Sequence, residues 1–435
     1  MNIIQKYMKK YAVSRRGTFI SQTTTCEING EMVHRRIPEA AIPVFPVLSF
    51  KSLFSLLNKK PVNVLDHGYA RIPVTAARYA ISHALAQMQI SPGTEILLPA
   101  YHCTVMVAPI VKMGGIPVFF KISAALDADI EDIRKKITDK TKAIIAVNYC
   151  GFVQNMAEVK SLCQKKNIIL IEDCAHSFFG QKNGVTVGGY GDYTLVSARK
   201  FFPVDEGGLL LIRQVEGDLP QQQPQTFTQS LKSFLSLIER SLKFGHLWLL
   251  APFIDLFNFF NKLFKNHKKK NITLAENDHN MVDYSSERNH TEKGENTYDH
   301  RMMDKKPVLV NRLLPTILNS VKITERRCEN YQWLAQGFKN MKHCKLIIEA
   351  LPEGIVPFML PVYIENLDKY FPAFEDAAVP MQRFAQFLWP DVTEETCKVT
   401  ADYSRNVILF PCHQELSLQD IQWLESTIRT ILEQD

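Results

Sequence analysis

The stretch from Ile168 to Ile212 constrains the fold more than any other part of the chain. It opens with an apolar run, Ile168 to Ile171, that ends in the acidic pair Glu172–Asp173. A glycine-rich bridge leads to Ser197-x-x-Lys200, then to Glu206-Gly207-Gly208 and a second apolar run. β-Branched residues dominate the first run and turn formers bound it, which predicts a buried strand of a parallel sheet. A carboxylate at the C-terminal end of such a strand points into the crevice where α/β proteins bind ligands. A buried acid there needs a cationic partner. Lys200, on the next strand and loop, is placed to reach the same crevice.

The residues before this stretch alternate regularly. Thr75 to Ile90 reads as a helix with Thr75 at or near its N-cap. There follow a strand (ILLP), a helix over Cys103 to Met113, a strand (IPVFF), a helix (DIEDIRKKI), a strand (KAIIAV) and a helix (NMAEVKSLCQKK). Alternating strands and helices imply a parallel, doubly wound sheet. We divide the chain into an N-terminal arm (1–66), a large domain (67–213), an insertion (214–306), and a connecting helix with a small C-terminal domain (307–435). Within the arm, IPEAAIPVFPVLSF reads as extended and SFKSLFSLLNKK as a short amphipathic helix. Leu313 to Phe338 reads as one long helix, and Ser417 caps an amphipathic terminal helix.

The 435 residues and 46% hydrophobic content suffice for a large core. A net charge of +6 without interleaved aromatic residues does not argue for nucleic acid. The nine cysteines are scattered, with no metal-ligand spacing, as free thiols of a reducing cytosol would be. No apolar segment follows the N-terminal lysines as in a signal peptide. These features lead us to expect a cytoplasmic protein.

Several motifs together resemble the DegT/StrS type of sugar-nucleotide aminotransferase, within the aspartate-aminotransferase fold. They are Glu172-Asp173-Cys174-Ala175-His176, Gly191-Asp192, Lys200 and Glu206-Gly207-Gly208, in the family's order and spacing. The likeness runs from about Thr75 to Ile212 and resumes more weakly from about Leu309. It implies an α/β protein of pyridoxal-phosphate-dependent transferase fold type I, with a large doubly wound domain and a smaller α/β domain. It also implies pyridoxal 5′-phosphate as cofactor and a homodimer with its site at the interface. Lys200 would form the Schiff base, and Asp173 would keep the ring nitrogen protonated. Ser197 and the helix start at Thr75, Ala76 and Ala77 would hold the phosphate. His176 would lie beside the ring's 3′-oxygen, and Asn148 would stand where the family has a histidine that touches ring or substrate. Two departures are visible. Val74 replaces a family glycine, and Cys103 stands where an aromatic residue stacks on the ring, leaving Tyr101 or His102 for that role. His413, in a family-like Phe410-Pro411-Cys412-His413-Gln414 phrase, reads as structural. The implied reaction passes an amino group from an amino acid, glutamate in the main reading, to a keto sugar, nucleotide-linked in the main reading.

Taken singly, these residues have plainer readings. Asp173 serves equally as a helix N-cap, Lys200 as a surface lysine, and His176 as a core histidine bonded to backbone. Other functions also stay open: another keto or lipid-linked acceptor, or a non-catalytic regulator or scaffold of the same fold. The insertion adds a further choice. Residues 226–270 are strongly apolar and end in a lysine cluster, with Pro252 marking a break between two helices. This segment either packs on the enzyme as a lid or lies peripherally on an anionic membrane surface at the inner face.

Overall fold

The computed structural model describes residues 21–28, 31–38, 40–53, 63–215, 217–256 and 298–434. The lysine cluster at 265–270 and most of the amphipathic segment of the arm lie outside them.

The first described element is an antiparallel hairpin, β1 (Ser21–Ile28) and β2 (Glu31–Pro38), which the sequence did not suggest. The centre of the molecule is a seven-stranded sheet. Its strands are β3 (Ala70–Val74), β4 (Glu95–Pro99), β5 (Ile116–Phe120), β6 (Thr141–Val147) and β7 (Ile169–Cys174). A two-residue hairpin, β8 (Gln181–Lys182) with β9 (Val185–Thr186), precedes β10 (Tyr193–Ser197) and β11 (Gly208–Ile212). The order is β3-β11-β10-β7-β6-β4-β5. The sheet is doubly wound as expected, with one correction. β11 runs antiparallel to both its neighbours, because the short Lys200–Gly207 loop returns the chain directly beside β10. A parallel neighbour would need a full crossover.

The connecting helices are α1 (Ala77–Gln87), α2 (Thr104–Lys112), α3 (Ile130–Lys136) and α4 (Met156–Lys166). After β11 comes α5 (Phe227–Lys243), opened by a capping box of Thr226 and Gln229. Leu237, Ile238 and Leu242 of α5 are buried, and Arg240 pairs with Asp205 at 2.8 Å. The described part of the insertion therefore packs on the enzyme. Its break falls at Gly245 and Leu247, both at positive φ, and not at Pro252. Pro252 lies near the start of the following turn, where a missing N–H costs little. Among the described residues no helix is long and apolar enough to cross a membrane.

The expected long helix is two: α6 (Leu309–Ile317) and α7 (Ser320–Phe338). Asn319 divides them by accepting from the Lys322 N–H as an N-cap at 3.2 Å. The C-terminal part is a three-stranded antiparallel sheet of β12 (Cys344–Leu346), β13 (Met359–Ile364) and β14 (Val407–Pro411). It is accompanied by α8 (Leu367–Asp376), α9 (Lys398–Asn406) and α10 (Leu418–Leu432), the last capped by Ser417 as expected.

Strand alternation gives the two acids of β7 different surroundings. Glu172 is fully buried and clamps the glycine-rich bridge. Its Oε1 accepts from the Gly188 N–H and the Asn148 amide, and its Oε2 from the Tyr190 and Gly191 N–H groups, all at 3.0 Å. Gly191 must lack a side chain, since a Cβ there would sit 2.9 Å from that of Glu172. Asp192 completes the turn by accepting from the Leu170 N–H and pairing with Lys160 at 2.5 Å. The Glu172→Ala variant would leave four donors without their acceptor. We expect a loss of about 3 kcal/mol, read as a lower urea midpoint at unchanged slope. A loss below about 1 kcal/mol would show that the clamp is dispensable.

Candidate active site

Every strand of the sheet except β11 ends at the same edge, and the expected site residues follow those ends. Register fixes their relative depth. Val74 pairs with Gly208 and Gly208 with Ser197, while Leu195 and Val147 both pair with Asp173. Thr75 and the start of α1 thus stand one strand away from Ser197, across Gly208. Asp173 lies on the strand beside β10, just below that row.

Lys200 ends a 3-10 turn, Ala198–Lys200, directly after β10. Its Nζ lies 5.4 Å from the centroid of the Phe358 ring. Asp173 is 5% exposed, and its Oδ1 accepts from the Ala175 N–H at 2.8 Å. Burial raises the Asp173 pKa, opposed by that N–H and by the charge of Lys200. Burial also holds His176 neutral, and Lys200 adds to the effect. Burial pushes the Cys150 thiol up to about 12 against the pull of Lys200. One ammonium group therefore acts on an acid, an imidazole and a thiol, which brings Lys200, Asp173 and His176 into one site.

The phosphate-side expectations fall on a distinctive surface. Ala76 is the N-cap of α1 and supplies no side-chain cap. The buried Thr75 Oγ1 has no hydrogen-bond partner among the described residues. A Cβ on Gly208 would come within 3.2 Å of the Ala77 nitrogen. The helix start is thus an uncapped set of donors beside an unused hydroxyl, in a place where the neighbouring strand carries no side chain. Such a helix end suits an anion.

Two residues do not serve as expected. Asn148 spends its side chain on scaffold: its amide donates to Glu172, and its Oδ1 accepts from the Gln154 N–H at 3.2 Å. His102 is turned into the core. Its Nδ1–H donates to the Ala100 carbonyl at 2.7 Å, its Nε2 accepts from the Trp389 N–H at 3.1 Å, and its ring stacks on Phe119. The role of ring-stacking residue is therefore withdrawn from His102. Tyr101 joins a buried aromatic cluster with Tyr149, Phe384 and Tyr403. Cys103 is half-buried and caps α2 without a side-chain bond to it. His413 is structural, with Nε2–H donating to the Pro43 carbonyl and Nδ1 accepting from the Glu415 N–H.

Sequence reasoning missed the residues that close the site from the C-terminal half. Phe358 and Phe384 both pack on the His176 ring, with centroids 4.8 and 5.0 Å away. Phe358 is delivered by its own N–H, which donates to the Cys150 carbonyl at 2.8 Å. Gly151 permits that crossing, since a Cβ on it would meet the Val356 oxygen at 2.5 Å. The glycine at 151 was the one signal in the sequence, and the structure gives it a positive φ.

Residues 63–218 match the family model of the DegT/DnrJ/EryC1/StrS aminotransferases. The resemblance carried by the motifs is thereby shown over the strand-and-helix series that builds this edge. Among curated relatives, GDP-perosamine synthase from Vibrio cholerae is 33% identical over 141 residues, 32% of this chain and 38% of that protein. The chain thus aligns with well under half the length of that relative. Solved structures extend the likeness over the whole molecule. An aminotransferase of Helicobacter pylori involved in pseudoaminic acid biosynthesis matches with a TM-score of 0.59 and 17% identity, covering 90% of this chain and 98% of that one. A putative sugar aminotransferase from Streptococcus pneumoniae, solved in its PLP form, matches with a TM-score of 0.55 and 16% identity, covering 99% and 97%. These likenesses show the fold: the chain has the fold-type I architecture of pyridoxal-phosphate-dependent aminotransferases.

The histidines give the folded state a pH signature. Burial lowers the pKa of His102 to about 4 and that of His413 to about 3, against 6.5 for a free imidazole. Below pH 6.5 the unfolded chain takes up protons that the folded chain refuses, so stability is intact above that pH and falls as acid approaches 4. Asp173, Asp205, Glu206 and Glu415 act in the opposite sense, since a pKa raised by burial lets the folded form take a proton first. His102 and His413 each contribute up to about 3 kcal/mol. We expect His102→Asn to lose less stability than the parent protein between pH 6.5 and 4, read as a changed slope of the urea midpoint against pH. An unchanged slope in the variant would refute the assignment.

Proposed function

We propose that this protein is an aminotransferase that uses pyridoxal 5′-phosphate to move an amino group from an amino acid, glutamate in our reading, to a nucleotide-linked keto sugar. One observation carries the reading: Lys200 and Asp173 stand at the C-terminal ends of adjacent parallel strands, beside an uncapped helix start with an unpartnered buried hydroxyl. The sugar acceptor is supported by the names of the matched relative and of the solved structures alike.

The residues present fit the cofactor. Thr75 Oγ1, the N–H groups at Ala76 and Ala77 and the nearby Ser197 would hold its phosphate, with Gly208 leaving room. Asp173 Oδ1 is taken by a backbone N–H, and among the described residues Oδ2 has no hydrogen bond, which suits it to a protonated ring nitrogen. When bound, the cofactor supplies an electron sink that lets the C–H bond beside the substrate amine ionise. Lys200 would anchor the cofactor and then, as a free amine, take that proton at Nζ and return it to the neighbouring carbon. Neutral His176, held by the Cys150 N–H at 3.3 Å, would orient the ring from its oxygen side. Phe358 and Phe384 would exclude water from that side.

Borohydride treatment of the cofactor-loaded protein should fix the cofactor on the one peptide containing Lys200, and label on another lysine would overturn the assignment. Asp173→Asn should still be trapped on Lys200, yet lose at least about a hundredfold in turnover, because the ring nitrogen would no longer stay protonated. Near-normal transamination would refute the role of Asp173.

We also propose assembly with a second copy. Its support is an exposed apolar set on the packed pair α5 and α6: Phe227, Leu231 and Phe234 with Leu309, Leu313 and Ile317. Exposed apolar surface of this kind marks interaction sites. Sedimentation should give twice the chain mass, and a monomer at micromolar concentration would exclude the dimer.

A further inference from the structure

Arg327, on α7, is fully buried, and its guanidinium is spread over four acceptors that are all neutral. Nη2 donates to the Lys200 carbonyl at 2.9 Å, and Nη1 to the Phe358 and Pro357 carbonyls at 3.1 and 3.3 Å. Nε donates to Gln414 Oε1 at 3.0 Å, and the amide of the same Gln414 donates to the Phe201 carbonyl at 3.0 Å. The Phe201 ring lies 4.6 Å from the guanidinium carbon. Arg327 and Gln414 together grip two consecutive carbonyls of the turn that carries Lys200. The same guanidinium holds the backbone of Phe358, whose ring faces both Lys200 Nζ and His176.

Burying a cation without a carboxylate is a poor way to gain stability, and burial does depress this guanidinium, to about 10. An apolar residue of similar volume would fill the space at lower cost. The geometry points instead to precision. Three segments far apart in the chain must meet at the lysine amine: the Lys200 turn, the 357–358 crossing and the 413–414 loop. A planar fork with five donors can bind carbonyls from all three at once, which a lysine cannot.

We propose that Arg327 is a positioning residue for Lys200, fixing the turn that presents the amine and the aromatic ring beside it. This rests on Lys200 being the cofactor lysine. The test uses full-length protein with added pyridoxal 5′-phosphate and the variants Arg327→Met, Arg327→Lys and Gln414→Ala. The readouts are the rate of borohydride-trappable attachment at Lys200, the pH dependence of the absorbance of the lysine-bound cofactor, and the thermal midpoint. Arg327→Met should slow attachment by about a hundredfold, the scale of effect of small misplacements at reacting groups. It should also move the absorbance titration upward, since a neighbouring cation is lost. Arg327→Lys should restore the titration and only part of the rate. Gln414→Ala should give a smaller loss in the same sense, and it carries the test if Arg327→Met does not fold. Equal attachment rates and titrations in all three variants, with any change confined to the thermal midpoint, would reduce Arg327 to a structural tie and overturn the proposal. Failure of the wild-type protein to attach cofactor at Lys200 would instead overturn the functional reading on which it rests.

Discussion

Two adjacent buried carboxylates on one strand set the terms for everything around them. Glu172 and Asp173 follow each other on β7, so the pleat gives them opposite surroundings. Glu172 has every nearby donor it needs and makes the glycine-rich bridge a fixed part of the fold. That bridge delivers β10 in parallel register beside β7, and the end of β10 delivers Lys200. Asp173 faces a side where one backbone N–H and one ammonium charge are its only described compensation. A buried acid in that state asks for a further cation. One acid is satisfied by the fold and the other is left with one backbone N–H, and a shift of one residue in register would exchange them.

How much of this was legible depends on sequence distance. The strand-and-helix series from β3 to β7 could be read because each element has a clear period and short connections. Lys200, Asp173, His176, Ser197 and Thr75 could be located because each lies at or just after a strand end, and all those ends share one edge. Phe358, Phe384, Arg327 and Gln414 could not. They come from the C-terminal half, and nothing local about a phenylalanine or a helical arginine says which carbonyl or ring it will meet. Local cues also misled. The apolar pattern from Leu313 to Phe338 continues across Asn319, yet an asparagine that bonds the N–H three residues on starts a new helix. His102 looked available next to a strand end, but both its nitrogens find partners in the core.

The motif residues divide into two kinds once their contacts are known. Gly191-Asp192 and Glu206 bear no chemistry toward Lys200. Gly191 admits a backbone N–H to Glu172, and Asp192 ties β7 to α4 through Lys160. Glu206 accepts from the Val308 N–H at 2.6 Å and from Gln225 at 2.8 Å, so it staples the two ends of the insertion together. The insertion can therefore vary in length without disturbing the edge, because its entry and exit are pinned to the loop that follows Lys200. Arg240 of α5, paired with Asp205 in the same loop, adds a second tie.

The same reasoning explains how Val74 can stand where the resembling family has glycine. The requirement at the start of α1 is that no side chain crowd the first N–H groups. Val74 is the last residue of β3, fully buried and paired with Gly208. A Cβ on Gly208 would sit 3.2 Å from both Val74 Cγ2 and the Ala77 nitrogen, so the valine occupies space that Gly208 vacates. The glycine that matters is thus supplied by the neighbouring strand, from the Glu206-Gly207-Gly208 motif. The seam between β3 and β11 is correspondingly tight and admits no larger residue at 208, because the Val196 oxygen stands 2.7 Å from the same point. What a glycine does for a helix start is to leave a volume empty, and that volume can be left empty from either side.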